Sequence, residues 1–170
     1  MNWLRYACLL LACALGARAE APAAVGPLAL GDEQYLEQQR RTVHELAALH
    51  LGRGFTGQTA RDLETLQLML DQGVVGAEEL RKLQALGVVM GDLLAQELDM
   101  HWVIYTDDTG RSRALQLGDS MNFLFPITMI SRRVKADIEV RVADVYASAV
   151  AAMAPTQRYR REPAMPGAQN

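Results

Sequence analysis

Between Leu80 and Leu98, large apolar and small residues recur at Leu80, Leu83, Gly87, Met90, Gly91, Leu94 and Leu98. Steps of three and four place them on one face of an α-helix. Gly87 and Gly91 lie four apart on that face. Each glycine in a helix interior costs about 1 kcal/mol relative to alanine, so the pair predicts a neighbour that packs too closely for a Cβ. After Met100 the period falls to two. His101–Thr106 is aromatic and β-branched, Asp107–Gly110 is a hairpin turn, and Arg111–Leu117 is the return strand. Gly118–Ser120 makes a second turn, and Asn122–Phe125 a short third strand.

The same reading extends to both sides. A first helix is expected over Asp32–His50, with Asp32 as its N-cap, Tyr35, Leu36, Val43, Leu46, Ala47 and His50 inward, and Arg40 among the solvated positions. A second begins at Thr59 and closes at Gly73, and the glycine-bearing helix starts near Ala77. Pro126 opens a further helix with Ile127, Ile130 and Val134 inward. The alternation of Ile138, Val140 and Val142 predicts a break around Ala136–Arg141 before a last helix, Val142–Met153. One continuous helix from Pro126 to Met153 is the competing reading. The fold class is α+β: N-terminal helices packed on one face of a three-stranded antiparallel meander, then C-terminal helices.

The first residues change the picture of where this domain works. Arg5 precedes an apolar run from Tyr6 to Leu15, too short to span a bilayer, and Ala17-Arg18-Ala19 offers small residues at a cleavage site. Residues 1–19 read as a secretory signal peptide. Residues 20–30 follow as a proline- and alanine-rich spacer, 31–154 as a single domain, and 155–170 as a disordered tail. The expected compartment is the periplasm. Leu10-Leu-Ala-Cys13 also resembles a lipoprotein signal, which would tether the chain to the membrane at Cys13. Both cysteines, Cys8 and Cys13, lie in this leader. A chain cut after Ala19 therefore has no thiol chemistry. Loss of Arg5 and Arg18 takes the net charge from −3 to −5, which leaves no footprint for nucleic acid.

Candidate chemistry is sparse. Gly52-Arg-Gly-Phe-Thr-Gly57 matches a dinucleotide fingerprint in letters only, because a helix precedes it and no βαβ unit follows. No serine stands in the hydrolase elbow pattern. A Ser120–His101–Asp119 set is required by no spacing. Glu97 and His101 form one i,i+4 pair, short of a zinc site. No catalytic residue, metal or cofactor is assigned. Asp92, His101, Trp102, Tyr105, Arg132 and Arg133 are the residues of interest. In one reading they make a structural corner, with Asp92 paired to Arg133. In the other, arginine and an exposed aromatic form a recognition patch. The function expected is an exported, non-enzymatic binding domain for an unknown envelope protein or ligand. The alternative is a hydrolase or metal-dependent enzyme using His101 with nearby acids.

Leu86-Gly-x3-Gly91-Asp92, Leu98, Trp102, the Asp107-Asp-x-Gly-Arg111 turn, Phe125-Pro126 and Arg132-Arg133 together resemble a bacterial family catalogued as a domain of unknown function. The likeness spans roughly Thr59 to Met153. It implies a shared fold and a bacterial envelope setting, and carries over no catalytic residue.

Overall fold

A computed structural model describes residues 23–161, with side chains to Thr156. The leader with Cys8 and Cys13, and the last residues of the tail, lie outside the described residues. In chain order come β1 (Ala24–Gly26), α1 (Leu30–Leu51), α2 (Thr59–Asp71), α3 (Leu80–Leu98), β2 (Met100–Asp107), β3 (Gly110–Leu117) and β4 (Phe123–Leu124). A single 3-10 turn, Pro126–Thr128, leads into α4 (Met129–Lys135), and α5 (Val142–Arg161) is the last element of the described residues.

The α+β class holds, with one strand more than expected. The sheet is antiparallel, in the order β1-β2-β3-β4. Ala24–Gly26, read as spacer, pairs with Thr106, Tyr105 and Ile104 of β2. Pro27 ends this strand because it has no N–H to donate. Helices lie on both sides of the sheet, where one covered face was expected. The hairpin closes as expected, Asp107 Oδ1 accepting the N–H groups of Thr109 (2.9 Å) and Gly110 (3.2 Å), with Gly110 at φ 129°.

α3 is the axis of the core. Leu83, Leu86, Met90 and Leu94 are fully buried. Gly87 and Gly91 face the 3-10 turn and β2. A Cβ at Gly87 would stand 2.5 Å from the Pro126 carbonyl oxygen, and one at Gly91 would stand 2.6 Å from Trp102 Cζ2. The close approach the glycines predicted is thus present, and its partners are a turn and a strand.

Element ends differ from expectation in ways that follow from hydrogen bonding. α1 starts at Leu30 with Ala29 as N-cap, so Asp32 sits in the third helical position and accepts the Ala29 N–H at 3.1 Å. Asp62 reaches back to accept the N–H groups of Thr56 (2.9 Å) and Gly57 (2.7 Å), which ties the glycine-rich loop to α2. α3 begins three residues later than Ala77, after Glu79 accepts the Gly76 N–H. The break between α4 and α5 is real, and Asp137 turns the chain there at φ 55°. Helix α5 continues through Pro155 to Arg161, where a disordered tail was expected. Proline forfeits one helical hydrogen bond, but Met153 stays buried beside it, and Thr156 Oγ1 donates to Asn122 Oδ1 at 3.5 Å.

Candidate functional site

Asp92 leaves α3 on the flank of the glycine face and is the centre of a half-buried cluster. Its Oδ1 accepts Trp102 Nε1–H at 2.9 Å and Arg40 Nη2 at 2.8 Å, and its Oδ2 accepts Arg40 Nε at 2.7 Å. The arginine pairing is bidentate, the geometry in which a guanidinium binds a carboxylate best. It holds Arg40 more firmly protonated than a free arginine. Asp92 and Trp102 therefore meet, as a corner requires, but the expected partner Arg133 is not there. Arg133 instead donates to the Met129 carbonyl, one turn back on α4, at 2.7 Å, and Arg132 is exposed on the same short helix. Although α4 packs on α3, the Arg133 guanidinium is taken up by the backbone of its own helix, and α1, which runs alongside α3, delivers Arg40 instead.

Arg40, expected among the solvated positions of the first helix, is thus drawn into the cluster. The signal was present: Leu36, Arg40, Val43 and Ala47 follow one another at steps of four and three, and the apolar members are buried. A cation on that line needs a carboxylate. Asp32 extends the same line backward and is itself 3% exposed. Its Oδ1 accepts Arg111 Nη1 at 3.0 Å and lies 2.8 Å from Arg113 Nη2, while Arg111 Nη2 donates to its Oδ2. The Arg113 guanidinium also stacks over the Tyr35 ring, 4.0 Å from its centroid. The Arg111 hydrogen bond, with the Ala29 N–H and the Arg113 charge, holds the Asp32 carboxyl down to about 2 against the opposing effect of burial.

The other residues of interest divide across the sheet. Trp102 shares the α3 face with Met100, Leu115 and Leu117, while His101, Val103 and Tyr105 alternate onto the opposite face. His101 is exposed and pairs in register with Gln116. Ser120 Oγ donates to the Leu117 carbonyl at 2.7 Å, so its proton is engaged by backbone. Among the described residues, no group of three or more His, Cys, Asp or Glu is placed to hold a metal ion.

Tyr105 is the residue that gathers company. Its ring meets Phe123 at 4.9 Å and, edge-on, Phe125 at 5.5 Å. Val25 is its register partner on β1. On the same face β3 contributes Ser112 opposite Tyr105, Gln116 opposite Phe123 and, between them, the fully buried Ala114. Phe125 and Val25 are each 37% exposed, and Met121 in the preceding turn is 66% exposed. An apolar stripe thus crosses the sheet from β1 to β4. Phe123 and Phe125 were missed because β4 pairs over only two residues; their i,i+2 spacing was the available clue.

Removing Asp92 should cost about 1–2 kcal/mol, since the cluster is only half-buried. In urea unfolding, Asp92→Ala and Arg40→Ala should each destabilise and their effects should fall short of adding. Strict additivity would mean the two side chains do not share a bond.

These features define a small α+β domain built on a glycine-faced helix, with two carboxylate clamps and an aromatic stripe. The chain belongs to the family described as Domain of unknown function (DUF3806), whose profile matches residues 62–146. A Bacteroides thetaiotaomicron VPI-5482 protein of known crystal structure is similar in fold, with a TM-score of 0.68 at 22% identity. The match covers 77% of this chain and 48% of that one, so this chain spans about half its length. No curated protein matches the chain. Among the described residues, no helix is long and apolar enough to cross a membrane.

Proposed function

We propose that this chain is an exported, non-enzymatic binding domain of the bacterial envelope, and that Tyr105, Phe123 and Phe125 form the centre of its partner-binding surface. The aromatic stripe, half-buried at Tyr105 and Phe123 and open to solvent at Phe125, carries the reading. Aromatic side chains offer large contact area at small entropic cost and dominate the energetics of protein interfaces. Here three of them are held together on a strand framework, beside exposed Met121 and Val25. The charged and apolar pattern of residues 1–19 supports export to the periplasm, with lipid attachment at Cys13 as the second route.

Both halves are open to direct test. Intact-mass analysis of the chain from envelope fractions should give a mature form starting at Glu20; a lipid-modified Cys13 would assign the second route, and a full-length cytoplasmic chain would end the export reading. A photo-crosslinking residue at Phe125 should capture a discrete envelope partner, and Tyr105→Ser should abolish the adduct. A fully folded Tyr105→Ser variant giving the same adduct would remove the stripe from the interface.

A further inference from the structure

A second surface lies at the far end of α3 from Trp102, where α2, the start of α3 and the α4–α5 connection enclose an open trough of about 450 Å³. Its floor is apolar: Leu70, Val75, Leu83 and Val134 line it. Asp71, Asp137 and Glu139 line it, with no lysine or arginine among the described lining residues; Arg133 and Arg141 line the adjoining hollows on the outer side of Glu139. Ile138 forms part of the lip and is 56% exposed, unusual for so large a β-branched side chain.

The wall carrying Ile138 is fixed at both ends. Asp137 N–H donates to the Val134 carbonyl and Ile138 N–H to the Arg133 carbonyl, each at 3.0 Å. On the far side, Gln67 of α2 donates through Nε2 to the Val140 carbonyl at 3.1 Å and accepts the Val142 N–H at 2.7 Å. The same amide donates to Asp71 at 2.8 Å, which holds one acid of the rim in place. A preformed trough loses little entropy on binding.

We infer that this trough binds a peptide segment of a partner protein that presents an apolar side chain flanked by lysine or arginine. The apolar floor and the exposed Ile138 supply the contact area. The carboxylate rim selects cationic flanks and disfavours acidic ones. The surface is separate from the aromatic stripe and does not depend on it.

The test uses the full chain, labelled for NMR, titrated with a short synthetic peptide of repeating Lys-Leu-Leu-Lys. Saturable shifts confined to the amides of the trough are expected, weakening as salt rises. The Glu-Leu-Leu-Glu counterpart should produce none. The double variant Asp71→Asn, Glu139→Gln keeps the side-chain shapes of two exposed residues and the Gln67 contact, so the fold is preserved; it should lower affinity about tenfold. Ile138→Ser should lower it severalfold. Equal binding of both peptides, an unchanged double variant, or shifts that gather instead at Tyr105 and Phe123 would overturn the inference. Concentration-dependent self-association that blocks the same amides would also overturn it, by making a second copy the occupant.

Discussion

Gly87→Ala and Gly91→Ala should each destabilise the fold by about 2–3 kcal/mol, although alanine is the better helix former by about 1 kcal/mol. The added methyl at Gly87 would lie 2.5 Å from the Pro126 carbonyl oxygen and 2.6 Å from that of Ile127, both backbone atoms that cannot rotate aside. At Gly91 it would lie 2.6 Å from the Trp102 ring and 2.7 Å from Pro126 Cγ. Either methyl forces α3 away from the turn that starts the C-terminal half. Gly31 in α1 is the control: a Cβ there meets nothing within 4 Å, so Gly31→Ala should be neutral or slightly stabilising. Urea unfolding with matched slopes would read all three. Full stability of Gly87→Ala would mean that the helix and turn are not in contact.

The second large effect belongs to Asp32. Asp32→Ala removes the shared acceptor of Arg111 and Arg113 and leaves Arg113 Nε, already buried without a hydrogen-bond partner, beside an uncompensated charge. A cost of about 2–4 kcal/mol is expected, toward the lower end because Arg111 is half exposed. The folded carboxyl, at about 2, binds its proton more weakly than the unfolded one, at 3.8. The stability it contributes is therefore fully present above about pH 4 and is lost as pH falls through about 2. Asp32→Asn should lack that component of acid denaturation. Identical acid unfolding of the two proteins would locate the acid-sensitive group elsewhere.

The sequence carried α3, the hairpin and the α4–α5 break because each has a strong local signature: a face of fixed period, an Asp-Asp-Thr-Gly turn, a change of alternation. β1 has none. Three residues between prolines become a strand only because the β2 edge is there to receive them. The pairings of the candidate corner were hidden for the same reason. Asp92 and Trp102 are ten residues apart and their approach follows from the helix–strand corner, whereas Arg40 lies 52 residues from Asp92 and Asp32 lies 79 from Arg111. Such partners can be inferred only as a need, from a charge standing on an apolar line. The continuation of α5 past Pro155 likewise depends on Met153 and Thr156 finding contacts that no local pattern reveals.

The two clamps also set the polarity with which α1 docks. That helix offers an acid at Asp32 and a base at Arg40, eight residues or about 12 Å apart along its axis. The body answers in the opposite order, with Arg111 and Arg113 for the first and Asp92 for the second. The arrangement works as a two-pin key. Turned end for end, α1 would set carboxylate against carboxylate and guanidinium against guanidinium. Slid by a turn, it would leave both pins unseated, so only one orientation and one depth of insertion satisfy the lock.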